Sequence, residues 1–171
     1  MNYSLILLLG SALSFSACST SLNDHLYAKV ENAIKTQDRS AISDVEYDQI
    51  SENIQRGNSK WIALYPKLSS EPFLGVTAFQ EGLDIDLAFA LPENADDTLK
   101  QVTTNNIDQV CSMPFIEPTR NSIYRYYERT HAALMKIGAP GQKCLSVLDT
   151  EMQSLKMLDS QGKIEWGEGE Y

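Results

Sequence analysis

Residues 77–91 read TAFQEGLDIDLAFAL, and the period assigned to this stretch decides the fold class. Phe79, Leu83, Leu87, Ala90 and Leu91 recur at the three- and four-residue spacings that place side chains on one face of a helix. Leu83, Ile85, Leu87, Phe89 and Leu91 also alternate strictly, which is the pattern of a half-buried strand. A strand must pair its backbone N–H and C=O groups with a neighbour, and no second segment alternates as well. The helical reading is therefore preferred, and Thr77 with Gln80 offers it a capping box.

Working outward, the flanking segments follow the same period. Leu26, Tyr27, Val30, Ala33 and Ile34 form a helical stripe that Asn23 is placed to cap. Ser43-Asp44-Val45-Glu46 matches a capping box, with Val45, Ile50 and Ile54 as the apolar line behind it and Gly57 as the C-terminal stop. A third helix carries Trp61, Ile62, Tyr65 and Leu68, and Pro66 predicts that it is short or kinked. Residues 69–76, with Pro72 and Gly75, read as a loop.

Beyond Pro92, Leu99 and Val102 belong to a helix over residues 94–103, and Asn106 caps a short turn carrying Ile107, Val110 and Cys111. Met113-Pro114 stops that turn. Residues 119–137 form the strongest helix, with Ile123, Tyr127, Thr130, Leu134 and Ile137 on one side and Gly138 at its end. Pro140 suits the first turn of the next helix, whose stripe is Leu145, Leu148, Met152, Leu155 and Leu158. The expected fold is all-α: a compact bundle or HEAT-like stack of about seven short helices.

The N-terminus carries the signal for compartment. Leu5 to Leu9 is an aliphatic run continued by small and apolar residues to Phe15, and no charged side chain precedes Asp24. About eleven such residues are too few to span the roughly 30 Å of a bilayer core and match the apolar region of a secretory signal. Ser16-Ala17-Cys18 resembles the lipobox of bacterial lipoproteins, in which the cysteine is lipidated and becomes the mature N-terminus. It departs from that pattern in having Phe15 where the family usually has Leu, and in lacking Lys or Arg at the start. An ordinary signal cleaved near Ala17 and a retained anchor are the alternatives. Ser19 after the cysteine, by the sorting rule of enteric lipoproteins, favours the outer membrane over the inner.

The resulting division is a lipoprotein signal over 1–17, a lipidated Cys18 with a tether over 18–22, a helical domain over 23–158, and an acidic flexible tail over 159–171. In that tail Ile164 and Trp166 are the residues able to dock. With Cys18 carrying lipid, the remaining cysteines of the three, Cys111 and Cys144, form a pair that an oxidising envelope would join in a disulfide. Two reduced buried thiols are the alternative. The formal net charge of −9 argues against nucleic acid as a partner, because phosphate binding needs a basic surface.

Catalytic signatures are missing from the chain: no phosphate-binding glycine loop, nucleophile elbow, zinc-protease motif or dinucleotide fingerprint occurs, and no metal or cofactor is expected. The two histidines, His25 and His131, are far apart. Glu81, Asp84 and Asp86 form an acidic group, but on a helix Asp84 and Asp86 point about 200° apart. They read as a solvated surface. The distinctive stretch is residues 120–129, RNSIYRYYER, where Tyr124, Arg125, Glu128 and Arg129 lie off the buried line. Tyrosine and arginine are enriched at protein-binding hot spots; packed tyrosines with internally paired arginines are the plainer reading.

Asn53-Ile54, Gly57-Asn58 and Trp61-Ile62, followed by Val110-Cys111 and Pro114-Phe115, resemble small exported helical proteins of proteobacteria over roughly residues 50 to 145. The shared features are a helix end, a core tryptophan and a disulfide. In size, helix content and compartment only, the layout is also similar to the immunity proteins that neutralise type VI secretion amidases in the periplasm. Neither resemblance transfers a catalytic residue. The leading expectation is a non-catalytic envelope lipoprotein, membrane-bound through its lipid, that binds another envelope protein as an inhibitor, immunity or accessory factor. An enzyme of cell-envelope material using Glu81 and Asp84, and a carrier of lipid or a small ligand, are the alternatives.

Overall fold

The computed structural model describes the backbone of residues 17–168 and side chains from Leu22 onward. The expected signal, residues 1–17, therefore lies almost wholly outside the described residues. Among those described there are no strands. The chain forms α1 (Ala17–Thr36), α2 (Asp44–Gln55), α3 (Ser59–Ile62), α4 (Tyr65–Leu68), α5 (Thr77–Ala90), α6 (Ala95–Leu99), α7 (Ile107–Val110) and α8 (Arg120–Ile137), then a 3-10 turn (Ala139–Gly141) and α9 (Gln142–Ser160). None of these helices is long and apolar enough to cross a membrane.

The deciding stretch is helical. Along α5 the stripe Phe79, Leu83, Leu87, Ala90 and Leu91 is buried, whereas Ile85 and Phe89, which only the strand reading would bury equally, are half-buried. The cap differs from expectation. Val76 rather than Thr77 is the N-cap, because the Gln80 side chain is drawn away to donate to the Leu68 carbonyl at 2.6 Å.

α5 sits at the centre, with α2 packed along it and α6 and α7 against its other sides. Leu87 and Leu91 meet a core in which Ile50, Ile54, Trp61, Ile62, Leu134 and Leu148 are fully buried. Each such side chain contributes roughly 1.5–3 kcal/mol by leaving water. Tyr126 ties α8 to this centre by donating its hydroxyl to the Ala88 carbonyl at 2.8 Å.

More helices form than the expected seven because short turns stand alone. The third helix divides into α3 and α4, and Pro66 occupies the first turn of the second piece, where its missing N–H leaves no bond unmade. In α2 the buried line is Tyr47, Ile50 and Ile54, and the expected Val45 is 65% exposed. Tyr47 takes its place, packing its ring at a tilt against Phe79 with centroids 4.8 Å apart. The capping residue is as expected: the Glu46 carboxylate accepts from both the Ser43 backbone N–H and the Ser43 hydroxyl at 2.8 Å.

Two boundary expectations are corrected. α1 runs from Ala17, so the stretch expected as a tether, 18–22, is helical, and Asn23 is an interior helical residue rather than its cap. Tertiary partners override the capping preference. Asn23 Oδ1 accepts from the Trp61 indole N–H at 3.0 Å, and its Nδ2 donates to Asn53 Oδ1 at 2.9 Å. The acidic tail, expected to be flexible from residue 159, is docked at Trp166 and Gly167. Trp166 donates its indole N–H to Asp159 Oδ1 at 2.8 Å, lies under the Arg120 guanidinium at 5.4 Å, and packs on the core. Gly167 then donates its backbone N–H to the Pro118 carbonyl at 3.0 Å. Only glycine fits there, since a Cβ would come within 2.6 Å of the Glu117 carbonyl oxygen.

Cys111 and Cys144 form the disulfide, with Cα atoms 5.0 Å apart and both residues buried. It fastens the end of α7 to the first turn of α9.

Candidate functional site

The N-terminal end of α8 is where the expected binding residues lie, and the helix there is well specified. Thr119 caps it by accepting the Ser122 backbone N–H at 3.1 Å, and Gly138 ends it with φ +76°. The deepest tyrosine is Tyr126 rather than the expected Tyr127, which is half-buried. Burial pushes the Tyr126 hydroxyl far above the usual tyrosine range, so it stays protonated and serves as a donor to the fold.

Tyr124, Arg125, Glu128 and Arg129 do come together on one side of α8, but not as a free basic patch. Tyr124 packs partly on the core, with the Lys156 ammonium of α9 at 5.9 Å from its ring. Arg129 is paired with Glu93, from the loop after α5, at 2.5 Å. Arg125, although exposed, is also engaged within the protein. Only Glu128 of the four presents an exposed charge with no partner among those just named. The patch is therefore mixed in charge and largely bound into the scaffold.

A second polar group that spacing did not reveal lies between α8 and α9. Tyr127 donates its hydroxyl to Asp149 Oδ1 at 2.9 Å, and His131 Nε2 stands 3.8 Å from the same oxygen. The Tyr127 and His131 rings are 5.4 Å apart. Desolvation first, and the Asp149 carboxylate second, raise the Tyr127 pKa, which makes the hydroxyl a poorer nucleophile. His25, the other histidine, is exposed on α1.

The acidic group of α5 disperses. Glu81 is exposed, Asp84 accepts the Tyr65 hydroxyl, and Asp86 is buried at 3% exposure. Asn106 Nδ2 donates to the same Tyr65 oxygen at 3.1 Å, so Asp84 joins α4, α5 and the start of α7. Asp86 corrects the expectation of a solvated surface. Its Oδ1 accepts from Gln55 Nε2 at 2.7 Å, while Oδ2 is buried without a partner. Burial raises its pKa, and the Gln55 hydrogen bond only partly offsets that. Glu81 and Asp84 thus do not converge on one substrate position. Among the described residues no group of three or more His, Cys, Asp or Glu side chains assembles as a metal centre.

The surface is grooved. A groove of about 370 Å³ lies between α1 and α2, lined by Leu22, Leu26, Gln49, Asn53 and Arg56. Another of about 470 Å³ runs between the α5–α6 connection and the end of α8, past Glu93, Asp96 and Lys136. Both are open to solvent and mixed in polarity.

No family model, curated protein or solved structure matches this chain. Any functional reading therefore rests on its own residues.

Proposed function

We propose that the chain is a lipid-anchored protein of the bacterial cell envelope that performs no chemistry and binds another protein through the side of the molecule presented by α8. The use of cysteine supports this most directly. Cys111 and Cys144 are committed to a buried cross-link, the kind of bond that persists in an oxidising compartment. Cys18 is then left as the unpaired cysteine, directly after Ser16-Ala17 and an apolar run of signal-peptide length. Acyl chains on that sulfur, together with a lipidated amine, supply the two or more hydrophobic anchors that stable membrane attachment requires.

The shifted titratable groups fit a binding scaffold better than a catalyst. Tyr126 holds α8 to α5, Tyr65 on α4 is bonded to residues of α5 and the start of α7, and Glu151 accepts the Met113 backbone N–H at 2.7 Å. Each of these groups has a structural partner that accounts for its position.

Mass spectrometry of the protein purified from membranes tests the anchoring. The expected N-terminal peptide begins at Cys18 and carries diacylglycerol and an amide-linked acyl chain. Cys18→Ser should move the protein from the membrane to the soluble fraction. An intact N-terminal peptide beginning at Met1 would overturn the reading.

A further inference from the structure

The connection from α7 to α8, residues 111–119 (CSMPFIEPT), presents Ile116 at 88% exposure, above every other exposed large apolar side chain among the described residues. A solvent-facing isoleucine on a loose loop would carry no meaning, but this loop is fastened along its length. Cys111 is held by the disulfide to α9. The Met113 N–H is held by the Glu151 carboxylate at 2.7 Å. Phe115 stands edge-on to both Phe89 and Tyr126, with centroids 5.5 Å away in each case. Pro118 accepts from Gly167 of the docked tail at 3.0 Å, and Thr119 caps α8.

Glu117, at φ +52°, turns the chain between these fixed points. A non-glycine residue in this left-handed region stores strain that the surroundings must hold in place. The result is an arch whose inward residues, Met113 and Phe115, are packed, and whose crest is Ile116. An element already in its bound shape loses little freedom on association.

The rim of the arch is acidic. Glu117 is exposed, and the tail segment lying against it brings the exposed Glu168 next to Gly167. Arg120, the cation at the start of α8, is bound to Asp159 at 2.8 Å and stacked on Trp166. An apolar knob with the exposed Glu117 beside it and Glu168 on the adjoining tail segment is complementary to an apolar pocket bordered by lysine or arginine.

We infer that the Ile116 arch is the element with which this chain grips its partner, a different protein that offers an apolar pocket rimmed by basic side chains. This rests on the protein-binding reading above and names the partner's chemistry.

The test places a photo-crosslinking amino acid in the full chain, expressed in its native host, at Ile116, at Arg125 or at Met135, the exposed methionine near the end of α8, in turn. Position 116 should yield one discrete adduct with a second protein, and the crosslinked peptide should carry Lys or Arg beside apolar residues. Combining Glu117→Lys with Glu168→Lys should lower the adduct yield at least fivefold while leaving the thermal unfolding midpoint unchanged. No adduct at 116, an adduct with the mass of two copies of this chain, or a yield indifferent to the charge reversal would each overturn the inference. A discrete adduct from 125 or 135 without one from 116 would overturn the arch yet leave the protein-binding reading standing. No adduct at any of the three positions would overturn both.

Discussion

Glu46 draws three donors onto one carboxylate: the Ser43 N–H and hydroxyl at 2.8 Å and the Lys29 ammonium at 2.6 Å. The lysine first, and the Ser43 N–H second, lower its pKa from an ordinary 4.5 to about 2. Asp97, bound by Lys100 and capping the first turn of α6 with Asn94, is likewise lowered to about 2. A carboxylate whose folded pKa is depressed stabilises the fold above its unfolded pKa, and that contribution is lost as pH falls through the folded value. Acid should therefore erode stability between about pH 4.5 and pH 2, and Glu46→Gln should be less stable than the wild type at pH 6 but nearly equal to it at pH 2, as read by urea unfolding. Asp86 titrates in the opposite sense. Its folded pKa is raised by burial, so its contribution to stability is greatest in acid and falls as pH rises. Asp86→Asn, which keeps an oxygen for Gln55, should raise the urea midpoint at pH 7 and lose that advantage by pH 4. The sequence alone separates Asp84 from Asp86 by helical angle. It does not tell which of them faces α2, because that depends on Gln55, thirty-one residues away in the chain.

At the scale of elements, local punctuation was readable wherever a single residue sets the backbone. Pro66 divides α3 from α4, Thr119 and Gly138 bound α8, and Gly57 ends α2 in a left-handed turn at φ +74°. At Gly57 a Cβ would also lie 2.8 Å from the Cβ of Glu93 and 3.0 Å from that of Asn94. Gly57→Ala should therefore cost about 2 kcal/mol or more, from left-handed strain plus the clash with the loop after α5, measured as a shift in the denaturant midpoint at constant slope. Elements without a period were the ones misread. The tail shows no repeat because a short extended segment docks through single side chains. Its anchor, Trp166, finds Asp159 on α9 and Arg120 on α8, thirty-nine residues apart from each other. α1 extends back past Asn23 because Trp61 and Asn53 claim that side chain, and neither lies near it in the chain. Trp166→Ala should free residues 161–168, making them cleavable by a dilute protease that leaves the wild type intact while α9 stays protected.

For the molecule as a whole, the all-α class followed from one helical stripe on α5, because that helix is the surface on which α2, α6 and α7 are laid. The binding surface was harder to read, since exposure is a property of assembly. Arg129 became part of the scaffold through Glu93, and Ile116 emerged at a crest only because Phe115 turned inward to Phe89 and Tyr126. The disulfide underlies that arrangement. It closes a separation of 33 residues that contains the arch and all of α8. On a chain-entropy view, releasing a loop of that length costs roughly 3–4 kcal/mol through the greater freedom of the unfolded chain. The core includes the two sulfurs, but Trp61, Leu87, Leu148 and their buried neighbours make it large enough to persist without the bond. Replacing both cysteines by alanine should therefore lower the guanidinium midpoint by an amount equivalent to those few kcal/mol while keeping the helical far-ultraviolet spectrum. Reductant should shift the wild type by a similar amount and leave the double variant where it is. A variant as stable as the oxidised wild type would show that α7 and α9 are held together by packing alone, and that the arch needs no covalent support.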